Sequence, residues 1–185
     1  MVTLAGHALP ALGVLVLWFA STALVVWLAN RARATFRRSL IGGSIVGIAG
    51  MAMVAATAHD GSAAAAYVSF VGGLLVWAWH ELAFLTGAVA GPRREPSDPA
   101  LRGWRRFTQA SATLIHHELA LAATMLLLLA MTFGTANPTG ALAFALLFAL
   151  RLTAKLNIFV GVPNFSDELL PAHLGYLKSY FRRRP

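Results

Sequence analysis

Cysteine is absent from this 185-residue chain. Disulfides, thiolate nucleophiles, iron–sulfur clusters and thiolate zinc sites are thereby excluded, and metal chemistry would have to use His and carboxylates. Charge is scarce as well. Only 12% of residues are charged, seven of them acidic against fifteen basic. No Ser-His-Asp arrangement, phosphate loop or zinc-ligand spacing occurs. What fills the chain is apolar: 58% of residues are hydrophobic and the mean hydropathy is +0.67, too high for a soluble domain of this size. The composition points to an all-α integral membrane protein of one domain, residues 1–185.

A crossing helix takes about 20 apolar residues. Five runs meet that length, at about 8–28, 40–58, 63–89, 109–133 and 140–162. Lys and Arg fall in three of the intervening stretches: four after the first run (Arg31, Arg33, Arg37, Arg38), five between the third and fourth, and four in the tail (Lys178, Arg182, Arg183, Arg184). If every run crosses, all of these lie on one side, which predicts an outside N-terminus and an inside C-terminus. The net charge of +8 is therefore assigned to membrane topology and anionic lipid, not to nucleic acid. No cation precedes the first run, the reverse of a cleavable signal peptide. Gly43 and Gly47 are spaced for close helix packing, within the chain or between two copies. After Pro171, Leu174, Leu177 and Phe181 recur at helical spacing beside Lys178 and Arg182, which predicts a short interfacial helix at about 171–182.

Ionisable residues inside spanning segments are costly and mark partners or cavities. The third run carries His80 and Glu81, the fourth His116, His117 and Glu118, and the fifth Arg151, Lys155 and Asn157. Counted from the inner ends at about 1.5 Å per residue, the three sets lie in one layer of the inner leaflet. Two acids and two bases sum to zero, so one reading is a mutually neutralised polar network of Glu81, Glu118, Arg151, Lys155 and Asn157 joining three helices. The other makes His80, His116 and His117 ligands of haem iron or of a chlorophyll-type pigment. A chelated metal is not expected, because adjacent His and Glu diverge by about 100° on a helix and the cations would repel it. No catalytic residue is assigned.

At these residues the sequence also resembles a known family. Trp79-His80-Glu81, Phe84-Leu85-Thr86-Gly87, Gly91-Pro92-Arg93, Gly103-Trp104-Arg105-Arg106-Phe107, His117-Glu118-Leu119-Ala120, Arg151-Leu-Thr-Ala-Lys155-Leu-Asn157-Ile-Phe-Val-Gly161-Val-Pro163-Asn164 and Leu177-Lys178-Ser179-Tyr180-Phe181 resemble the PuhE family, photosynthetic complex assembly proteins of phototrophic bacteria. The resemblance covers roughly residues 77–182 and departs at His116, where the family has an aromatic residue. Family members also continue into further apolar segments. It implies an accessory or assembly subunit of the reaction-centre and light-harvesting apparatus in the bacterial inner (intracytoplasmic) membrane. Such a subunit would contact lipid and reaction-centre or antenna subunits and handle bacteriochlorophyll. The alternative is a His/Glu-dependent membrane oxidoreductase or pigment-modifying enzyme.

Overall fold

A computed structural model of the chain describes residues 4–163 and 168–182. Asn164, Arg183 and Arg184 lie outside the described residues, as does the side chain of His7. The described residues form helices and loops with no strand: α1 (Leu4–Ala29), α2 (Phe36–Thr57), α3 (Ala63–Leu85), α4 (Gly103–Ser111), α5 (Ile115–Met131), α6 (Thr139–Val160) and a 3₁₀-helix (Ala172–Tyr180). By length and composition α1, α2, α3 and α6 can each cross a membrane, and a fifth crossing exists if α4 and α5 count as one bent span.

Helix α3 occupies the centre. It packs chiefly on α2, then on α6 and α1, and eleven of its residues are buried, against three each in α2, α5 and α6. Its start is set by Ser62, whose hydroxyl accepts from the Ala65 amide at 3.2 Å, with the Asp60 carboxylate accepting from the Ser62 amide at 2.9 Å. Small residues let its neighbours close in. Gly50 of α2 meets Gly72, and Gly73 meets Gly140 of α6, so that a methyl group at Gly73 would lie 2.6 Å from the Gly140 carbonyl oxygen. The Gly140 amide donates to the Ser69 hydroxyl at 3.0 Å. Gly43 and Gly47 serve the same packing within the chain, for the Trp79 ring fills the space above Gly47 and Leu82 that above Gly43. Val54, Val76, Trp77, Leu121, Leu128, Ala141 and Phe144 form the core between α2, α3, α5 and α6.

The fourth apolar run, expected as one helix over 109–133, is broken. Helices α4 and α5 meet at 67° across residues 112–114, although neither Gly nor Pro interrupts the stretch from Gln109 to Phe133. The cause is tertiary: the segment after α3 wedges into the break. The Arg93 amide donates to the Ala112 carbonyl at 3.1 Å, and the Ala90 carbonyl accepts from the His117 amide at 3.0 Å, serving a first-turn donor of α5. Gly91 permits this approach, because a side chain there would strike the backbone of residues 112–114. Helix α5 alone has 17 residues, about 26 Å long and short of a roughly 30 Å hydrocarbon core.

The tail forms a nine-residue 3₁₀-helix, whose three-residue turn buries Leu174, Leu177 and Tyr180 on one side. Phe181, expected on that face, lies one residue past its end and packs beside Phe84, Ala90 and Leu174. Polar contacts then stitch the tail to two basic stretches. Arg106 Nη2 donates to the Tyr180 carbonyl at 2.6 Å, Arg93 Nε to the Tyr180 hydroxyl at 2.8 Å, and His173 Nε2 to the Leu85 carbonyl at 2.9 Å. The His173 ring lies 5.5 Å from Phe36. The basic stretch before α2, that before α4 and the start of the basic tail thus gather at one end of the helices, while Asn137 caps the opposite end of α2 by donating to the Thr57 and Ala58 carbonyls.

Burial, reinforced by the charge of Arg33, holds His173 below the ordinary imidazole value of 6.5 although the ring donates to the backbone of Leu85 and Thr86. Its folded value lies below its unfolded one, so its contribution is complete above about pH 6.5 and is lost as pH falls through the folded value. The protection of the Leu174–Tyr180 amides, taken as exchange relative to the base-catalysed intrinsic rate, should therefore fall as pH drops from 7.5 to 5.5. His173→Gln should flatten that dependence; an unchanged profile in the variant would remove His173 as its source.

Candidate functional site

The polar residues of α3, α5 and α6 converge. Their spacing explains why: Trp77, His80, Glu81 and Phe84 share one face of α3, His117, Leu121 and Thr124 one face of α5, and Phe144, Leu147, Arg151 and Lys155 one face of α6. Glu81 Oε2 pairs with Arg151 Nη1 at 2.6 Å, and Glu118 Oε1 pairs with Lys155 Nζ. The four side chains are only 11–21% exposed, so each carboxylate is matched by a cation in a setting where an isolated charge would be expensive. Arg151 and Lys155 lie 5.4 and 5.2 Å from the centre of the Phe84 ring.

His117 is enclosed completely, its ring tilted against Phe84 with centroids 4.7 Å apart and its Nε2 4.0 Å from Glu81 Oε1. Neither of its ring nitrogens, nor Glu81 Oε1, Glu118 Oε2 or Arg151 Nε, has a hydrogen-bond partner among the described residues. His80 is 7% exposed, and its Nε2 shares a hydrogen bond of 2.9 Å with the Thr124 hydroxyl. The two imidazoles stand 6.4 Å apart, edge to face. A macrocycle seeking either as an axial ligand would have to displace Phe84 or Thr124, so their surroundings do not fit one. His116, a turn of about 100° from His117, is exposed and open to approach.

Asn157 is not brought into the cluster. It is exposed two residues beyond Lys155, on another side of α6. Conversely, Trp77, Phe84 and Thr124 belong to the site although hydropathy and charge single out none of them; the available signal was that Trp77 and Phe84 stand four before Glu81 and four after His80. On the side facing α1, a groove of about 370 Å³ opens between α1, α3 and α6. Trp18, Thr22 and Trp77 are among its walls, and Glu81 and Arg151 also line it.

Comparison with known proteins gives one family and one curated relative. The profile of a family described as "Protein of unknown function (DUF3623)" matches residues 4–185. The chain is similar to the "Uncharacterized 30.4 kDa protein in puhA 5'region" of Rhodobacter capsulatus, with 39% identity over 178 residues, covering 94% of this chain and 65% of the relative. It thus spans about two thirds of that relative's length. No solved structure matches.

Proposed function

Since the chain belongs to the DUF3623 family, we propose that it is an accessory or assembly subunit of the bacterial photosynthetic apparatus that docks against reaction-centre or antenna helices. The observation that carries this reading is the similarity to a protein named for the puhA 5' region, and the PuhE-like strings quoted above support the same assignment. The geometry agrees in kind. The ion pairs occupy both carboxylates of the intramembrane layer, which favours a scaffold over an acid–base catalyst, while α1 presents a long exposed apolar surface including Leu12, Val16 and Phe19. The gathering of basic stretches at one end supports an orientation in the bacterial inner membrane with the N-terminus outside and the C-terminus inside. Handling of bacteriochlorophyll would use the α1–α3–α6 groove and the exposed His116.

The test is purification of the tagged full-length protein from pigmented membranes in mild detergent. Reaction-centre or antenna polypeptides should copurify at native abundance, and variants of α1 that replace Val16 and Phe19 by Ser should lose them without loss of the protein itself. A protein that emerges alone from such membranes would overturn the assignment.

A further inference from the structure

At the basic end of the helices lies a second cavity, of about 310 Å³, between the α1–α2 connection, the turn after α3 and the 3₁₀-helix. Its polar lining includes Arg33, Arg94, His173 and Tyr176, and Phe36 and Leu174 form apolar wall. No carboxylate among the described residues lines it. Glu95, next to Arg94 in the chain, pairs with Arg93 at 3.4 Å and is not part of the lining. The carbonyls at the end of α3, which would repel an anion, are covered: Arg94 Nη2 donates to Gly87 at 3.0 Å and His173 Nε2 to Leu85. Gly87, at φ +76°, makes the left-handed turn that ends α3 beside the His173 ring.

The Tyr176 hydroxyl is buried and has no hydrogen-bond partner among the described residues. Burial pushes its ionisation up, so it remains a proton donor. Two guanidinium groups and a phenolic donor thus border one space to which the described residues bring no acceptor carboxylate. Such a set suits a phosphate anion, and the apolar wall beside it suits an amphiphile.

We infer that this cavity binds the phosphate headgroup of an anionic phospholipid, with Arg33, Arg94 and the Tyr176 hydroxyl as donors and Phe36 and Leu174 against the glycerol and upper acyl carbons. Basic pockets between helices at the inner membrane surface bind anionic headgroups on the same physical grounds. The site is separate from the intramembrane ion pairs and does not depend on what the protein assembles with.

Native mass spectrometry of the detergent-purified full chain tests this with phosphatidylglycerol, phosphatidylcholine of the same acyl chains, and glycerol phosphate as soluble probe. Wild type should retain phosphatidylglycerol preferentially. Arg33→Gln with Arg94→Gln should weaken that binding by about 25-fold, roughly fivefold for each arginine, while Arg33→Lys with Arg94→Lys should stay within about threefold because the charge remains. Arg102→Gln with Arg105→Gln, at exposed arginines outside the cavity, should change it little. Equal retention of the two lipids, or an equal loss in the control pair, overturns the site. Glycerol phosphate binding as tightly as the lipid would mark it as a soluble-anion site and overturn the lipid assignment. Thermal unfolding in detergent alone guards against misfolding; if the double variant is unstable, the single exposed change Arg33→Gln should still give the roughly fivefold loss.

Discussion

Glu118→Gln should sharply lower the amount of folded protein in the membrane, and adding Lys155→Met should bring most of it back. The single change leaves the Lys155 ammonium among Phe84, Arg151 and apolar side chains with no counter-ion of its own. Breaking a buried pair on one side costs about 3–5 kcal/mol, a large part of a typical total stability of about 5–15 kcal/mol. Lys155→Met alone should also lower stability, since it leaves the Glu118 carboxylate without its cation. The double variant removes both charges, retains nearly the same volume, and should lie within about 1.5 kcal/mol of wild type. Thermal unfolding of the four proteins in detergent gives the coupling energy directly. If the two losses simply add, the pair does not stabilise the bundle and the neutralisation argument fails with it.

The second large effect is expected from Gly73→Val. A side chain at Gly73 would meet the carbonyl oxygen of Gly140 at 2.6 Å and its Cα at 3.2 Å, both backbone atoms that cannot rotate aside. Helix α6 would have to move off α3 as a body, opening the Ser69–Gly140 hydrogen bond and straining the Glu81–Arg151 pair farther along. Overpacking of this kind costs about 1–3 kcal/mol where side chains can adjust, and here the obstacle is main chain, so the loss should sit at or above the top of that range. Gly42→Val is the control: no described residue lies within 4 Å of a side chain built there, and loss of a helical glycine alone should be neutral or mildly stabilising. Similar melting temperatures for the two variants would show that the α3–α6 approach is not held by its glycines.

Hydropathy located α1, α2, α3 and α6 to within a few residues, because apolar runs and spanning helices are nearly the same objects. Where they differ, the reason is local. Helix α2 begins at Phe36, four residues ahead of its apolar run, since Arg37 and Arg38 are good helix formers that hydropathy discounts. The break at 112–114 was invisible for another reason: its cause lies at Ala90–Arg93, some twenty residues away, and no residue inside the run signals it. The layer of His80, Glu81, His117, Glu118, Arg151 and Lys155 could be inferred from depth along the helices, which needs only the rise per residue. Rotation about each axis was harder to infer. It separates His117, fully enclosed, from His116, exposed, and it turns Asn157 away from Lys155. Thr124 carries no charge and could be recognised only once the helices were placed side by side.

The pairing of α3 and α5 with α6 also sets a sequence of events during synthesis. Both acids precede both of their cations in the chain, Glu118 by 33 residues from Arg151 and 37 from Lys155. At elongation rates of about 5–20 residues per second, Glu118 reaches the insertion machinery roughly 2–7 s before Arg151, and Glu81 roughly 4–14 s before it. Through that interval Glu81 and Glu118 must stay hydrated, protonated or shielded by another protein. Helix α6 therefore acts as the latch of biogenesis: its arrival converts two costly side chains into the fastening that holds α6 against α3 and α5.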